Sequence, residues 1–198
     1  MEDRLILASS SATRQKLLRQ AGVPFELRVP RVDEHEVRRS LLAVGTRPRD
    51  IADALAELKA SRVGAASGEL VLGADQVLEH DGEILAKPDT PEEARAQLTR
   101  LNGERHALHA AAVLFDANGP VWRHVATAEL AMRTCSPEWL DAYLTRNWET
   151  VRHSVGGYRI EDEGVRLFSR IDGDFFAILG LPLLPLLSYL TRRGTIPG

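Results

Sequence analysis

The sequence predicts an α/β fold, a mixed sheet with flanking helices. Three observations predict it. Continuous apolar runs of strand length, residues 5–8 and 70–74, alternate with amphipathic segments that open on capping residues. Two turn sequences, His80-Asp81-Gly82-Glu83 and Asp116-Ala117-Asn118-Gly119, join strand-like segments and call for antiparallel neighbours. No repeat, low-complexity stretch or linker divides the 198 residues, so 1–198 reads as a single domain.

The elements follow in order. Residues 4–8 read as a buried strand. Ser11 is a good N-cap for a helix over 12–21, whose Leu17, Leu18 and Ala21 form an apolar face ended by Gly22. Phe25, Leu27 and Val29 alternate with Glu26 and Arg28 as in a half-buried strand. Residues 33–45 are polar and read as a mobile loop. Pro48 suits the first turn of a helix over 48–63, with Ile51, Leu55, Leu58 and Val63 on its buried side. The strand over 70–74 places Asp75 at its carboxyl end. Residues 84–86 return from the hairpin. Thr90-Pro91-Glu92-Glu93 then opens a helix to about 101 by cap, first-turn proline and a glutamate three on. Residues 106–115 and 121–133 are paired strands. Ser136 caps a helix to about 146, Gly156-Gly157 marks a tight loop, 165–171 a late strand and 182–193 a last helix.

Composition excludes several function classes. Net charge is −3, from 25 basic and 28 acidic residues, with no basic block, so neither nucleic acid nor an acidic membrane is expected as a partner. The apolar run over 175–190 is interrupted by Gly180, Pro182 and Pro185 and reads as a buried loop entering a helix rather than a membrane span. Residues 5–8 are too short for a signal-peptide core. The single cysteine, Cys135, permits neither an internal disulfide nor a cysteine metal cluster, and a reducing cytoplasm is the expected location. The six histidines lack the helical spacing of a zinc pair, and His106 and His109 fall on opposite faces of one strand.

Four signals carry chemistry. The junction Ser9-Ser10-Ser11 before a helix offers free amides, hydroxyls and, one turn in, the Arg14 guanidinium, which together suit a phosphate. Asp75, beyond a buried strand, suits a metal ligand or a proton acceptor. Lys87 and Lys59 stand out because the chain has only one other lysine, Lys16, and otherwise uses arginine. Glu34, beside Asp33 in the charged segment, could close over a metal-bound triphosphate. Each signal alone also fits a structural residue.

Together and in this order they resemble the Maf family of nucleotide pyrophosphatases. The matching segments are LILASSSATRQKLLRQAGVPFE, VDE at 32–34, the helix with Lys59, LGADQV, ILAKPDTPEEA, LNG at 101–103, and GYRIEDEGVRLF with ILGLPLLPLL. The resemblance spans about 5–190. It implies a Maf/ITPase-like mixed α/β fold with two lobes around a deep cleft, often a homodimer, and Mg²⁺- or Mn²⁺-dependent hydrolysis between the α and β phosphates of a nucleoside triphosphate. By the same resemblance Ser9, Ser11 and Arg14 bind phosphate, Glu34 and Asp75 serve the metal, Lys59 and Lys87 face the phosphates, and Asp75 accepts the proton. Thr13, Gln76 and Glu161 fall at base-recognition positions. Gln76 and Glu161 resemble the branch acting on 7-methyl-GTP, whereas Thr13 stands where that branch has Trp. The alternative expectation is a nucleotide-binding regulator of cell division without strong catalysis.

Overall fold

The protein is described by a computed structural model covering residues 3–198. Its centre is β3 (Glu69–His80), flanked by β1 (Arg4–Ala8) and the long hairpin β5 (Arg105–Asp116) and β6 (Gly119–Met132). The sheet order is β2-β1-β3-β5-β6-β7, with β2 (Glu26–Leu27) and β7 (Phe168–Asp172) at the edges and β4 (Glu83–Leu85) paired to β3. β1 runs parallel to β2 and β3, and all other pairings are antiparallel. The mixed α/β sheet with flanking helices is therefore as expected.

The helices are α1 (Ala12–Gln20), α2 (Glu34–Ala43), α3 (Pro48–Val63), α4 (Pro91–Leu101), α5 (Pro137–Val151), the single turn α6 (Phe175–Ile178) and α7 (Leu183–Arg193). Their starts obey the local chemistry. Ser11, Thr90 and Ser136 each accept a bond from the backbone amide three residues on. The β3–β4 turn puts Asp81 and Gly82 at φ of 52° and 77°, as a tight hairpin requires.

Four expectations need correction. Residues 33–45 are not a loop: Asp33 caps α2, and Val37 and Leu41, one turn apart, pack on the core beneath it. Only two residues of the segment at 25–29 pair as a strand, and Leu27 and Val29 are exposed, because β2 is an edge with no layer outside it. The late strand begins at Phe168, and residues 163–167 form a 3₁₀ turn instead. β3 does not end at Ala74 but continues to His80, held by β5 through Asp75↔Ala111 and beyond.

That last correction positions the site. β1 pairs with β3 only as far as Ala8↔Gly73, and β4 joins the same edge only from Leu78. The edge of β3 over 74–77 therefore has no strand beside it, and the chain leaving β1 turns away there through Ser9, Ser10 and Ser11. A strand side chain alternates between faces. Asp75 accordingly points to the α3 side with Val71 and Val77, whereas Gln76 points to the α6 side. Gly73 permits the close approach of α3. A Cβ there would lie 2.0 Å from the Ala56 carbonyl oxygen and 2.7 Å from the Ala60 nitrogen.

Candidate active site

A cleft of about 810 Å³ opens at this break in the strand edge. Every residue singled out in the sequence lines it: Ser9, Ser11, Thr13, Arg14, Glu34, Lys59, Asp75, Gln76, Lys87 and Glu161. They come from β1–α1, α2, α3, β3, the segment after β4 and the segment after α5, so the cleft gathers residues up to 152 positions apart in the chain.

Lys59 is the hub. Its Nζ lies 2.6 Å from Asp75 Oδ1 and 2.8 Å from Glu34 Oε1. Lys59 belongs to the buried stripe of α3, four and eight residues on from Leu55 and Ile51, while Leu58 and Val63 are only half-buried. A lysine in an apolar stripe is costly unless paired, and two carboxylates pair it here. Burial pushes the Glu34 carboxyl up, but Lys59, then Lys87 and Arg14, together hold it below its ordinary value. Lys87 has its ammonium pKa lowered by burial, with Arg14 and Lys59 adding to the effect and Glu34 and Asp75 opposing it. Lys87 makes no hydrogen bond or ion pair among the described residues and stands at the mouth of the cleft.

Arg14 is held in place by the protein. Its Nε donates to the Gly180 carbonyl at 2.7 Å, and one terminal nitrogen donates to the Ala74 carbonyl at 2.9 Å and to Ser9 Oγ at 3.1 Å. The Ala74 carbonyl lies on the unpaired strand edge, so Arg14 satisfies it where no strand does. Its other terminal nitrogen makes no hydrogen bond among the described residues and is left for a ligand oxygen. Arg14 thereby braces β1–α1, β3 and the α6–α7 connection around the cleft. Ser11 is engaged as the α1 cap, its Oγ accepting from the Arg14 amide at 3.3 Å.

The far side of the cleft holds the base-recognition candidates. Gln76 Nε2 donates to the Ala177 and Ile178 carbonyls at 3.0 and 2.8 Å, tying β3 to α6. Glu161 Oε1 accepts from Arg159 Nε and Nη2 at 3.0 and 2.8 Å. Its negative charge is therefore matched by Arg159, which also lines the cleft and which sequence reasoning missed. Arg38, His35, Lys16 and Tyr158 are further lining residues that the sequence did not flag. A helical reading of 34–43 was the signal that would have found Arg38, four residues on from Glu34.

The donor set suits a hard divalent cation. Asp75 is 4% exposed, and its Oδ2 is buried without a protein partner, while Oδ1 is held by Lys59. Glu34 supplies a second carboxylate. Among the described residues no third acidic, histidine or cysteine side chain completes a protein cage. This is the pattern of Mg²⁺ or Mn²⁺ held by one or two carboxylates and by substrate phosphates, not of a structural zinc.

The family profile described as Maf-like protein matches residues 4–193. The chain belongs to the Maf family. Its relatives include the nucleoside triphosphate pyrophosphatase of Ruegeria pomeroyi, 55% identical over 97% of both chains. A protein of the same name from Roseobacter denitrificans is 52% identical over 100% of both. The 7-methyl-GTP pyrophosphatase of Rhizobium meliloti is 44% identical over 99% of both. Maf-family membership thus spans the cleft and every element that builds it.

Proposed function

We propose that this Maf-family chain hydrolyses a nucleoside triphosphate to the monophosphate and pyrophosphate. The observation that carries the reading is the Glu34–Lys59–Asp75 bridge in a cleft large enough for a nucleotide, with Asp75 Oδ2 left without a partner. The names of the full-length relatives support the same reaction.

The residues divide the work. Lys59 occupies Asp75 Oδ1, so Oδ2 is the oxygen able to take a proton from the attacking water. That water attacks the α-phosphorus, the α–β bridging bond breaks, and pyrophosphate leaves with the bridging oxygen. Lys59 bridges the two carboxylates and holds them side by side. Lys87, unpaired at the mouth, offsets charge on the departing phosphates. Ser9, Ser11, the amides at the start of α1 and the free terminal nitrogen of Arg14 receive phosphate oxygens, and the other Arg14 nitrogens fix that junction. Glu34 and Asp75 would hold a divalent cation, which would supply charge neutralisation across the polyphosphate.

Thr13, Gln76 and Glu161 form the base end in this reading. The Rhizobium meliloti relative supports 7-methyl-GTP as the leading candidate base. The Arg159 partner lowers the net attraction Glu161 can offer a cationic base, and a general nucleotide specificity comes next. The reading carries with it one domain of two lobes over 1–198, a cytoplasmic homodimer and no nucleic-acid or membrane partner. Among the described residues, no helix is long and apolar enough to cross a membrane.

The test is a panel of dTTP, UTP, CTP, GTP and 7-methyl-GTP with Mg²⁺ or Mn²⁺, products identified by mass, with Asp75→Asn as control. Monophosphate and pyrophosphate, lost in a folded Asp75→Asn, are expected. Nucleotide binding without turnover of any member would move the weight to a nucleotide-binding regulator, and a fully active Asp75→Asn would remove the proton-acceptor role.

A further inference from the structure

Six cationic side chains line the cleft, and they fall into two sets. Arg14, Lys59 and Arg159 are engaged by protein acceptors. Lys16, Arg38 and Lys87 make no hydrogen bond or ion pair among the described residues. Arg38 differs from the other two because its Nε is buried and has no partner. A buried N–H of a charged group without an acceptor is costly, so such a group points to an acceptor that arrives with a ligand.

The position of Arg38 says which part of the ligand that is. Glu34 and Arg38 stand four residues apart on one face of α2, and Val37 and Leu41 fix that helix to the core. Glu34 joins Lys59 and Asp75 on the α3 side of β3, while Gln76 is tied to α6 on the opposite side. A nucleotide with its base toward Gln76 and Glu161 and its α-phosphate at Asp75 therefore extends its remaining phosphates toward α2. We infer that Arg38 binds the leaving pyrophosphate half of the substrate, presenting its planar fork to the β- and γ-phosphate oxygens. This rests on the pyrophosphatase reading above for the direction of the substrate.

The experiment titrates inorganic pyrophosphate and, separately, a nucleoside monophosphate into wild type, Arg38→Gln and Arg38→Lys by calorimetry, with kcat and KM measured alongside. Thermal midpoints identify any loss of folding. Arg38→Gln is expected to weaken pyrophosphate binding on the order of tenfold to a hundredfold and to leave the monophosphate unchanged. Arg38→Lys, which keeps the charge and loses the fork, is expected to fall between. Unchanged pyrophosphate binding in Arg38→Gln overturns the inference, as does equal weakening for both ligands. Failure of the underlying reading is seen separately, as absence of triphosphate turnover in the wild type.

Discussion

Gly73→Ala tests whether one close contact between α3 and β3 sets the geometry of the site. The added Cβ would lie 2.0 Å from the Ala56 carbonyl oxygen, 2.7 Å from the Ala60 nitrogen and 3.0 Å from the Ala60 Cβ. Two of these are helix backbone atoms, which cannot rotate away. Relieving the closest contact requires α3 and β3 to part by about 1 Å or more, since ordinary contacts begin above roughly 3 Å. Overpacking of this kind costs about 1–3 kcal/mol, and the rigid backbone puts this case near 3. For a chain of this size that is a fall of about 6–12 °C in Tm. The same displacement would pull Lys59 Nζ from its 2.6 Å contact with Asp75 Oδ1. A misplacement of about 1 Å at a catalytic group can cost about a hundredfold in rate. The assay is thermal unfolding by circular dichroism, followed by kcat at a temperature where the variant is fully folded. A wild-type Tm would refute the contact itself. A lowered Tm with wild-type kcat would refute the claim that this contact positions Lys59.

Two further outcomes follow from the charges. Burial, and to a lesser degree His80, pushes the His106 imidazole down to about 4, and its Nε2 lies 2.7 Å from the Tyr158 hydroxyl. The folded chain thus binds this proton less readily than the unfolded chain, so the contribution is full above about pH 6.5 and is lost as pH falls toward 4. Urea unfolding should show a decline of up to roughly 3 kcal/mol across that window from this group, and His106→Gln should flatten it; an equal slope in the variant would exclude His106 as the source. Chelation of divalent cations should abolish turnover, with recovery on adding Mg²⁺ or Mn²⁺. Because Lys59 already bridges Glu34 and Asp75, the cation alone should shift Tm little and the cation with nucleotide should shift it much more. A large shift from the cation alone would indicate a preformed protein cage instead.

Features that depend only on near neighbours are legible in the chain. Ser11, Thr90 and Ser136 cap helices because an N-cap needs only the amide three residues on, and Asp81-Gly82 makes its turn for equally local reasons. The order of motifs also carried the family and ten residues of one cleft, since motif spacing survives in the chain without coordinates. Three things were decided only in three dimensions. The polar segment at 33–45 carries a helix over 34–43 because packing of the half-buried Val37 and Leu41 against the core adds to the Asp33 cap. Arg14 also braces β3 because β1 stops at Ala8, opposite Gly73, and leaves the Ala74 carbonyl to be satisfied. Glu34, Lys59 and Asp75 meet because Gly73 lets α3 approach β3, and no local pattern encodes a contact between backbones that distant in sequence. The side-chain chemistry is written in the chain, but which acceptor each cation finds is settled by packing.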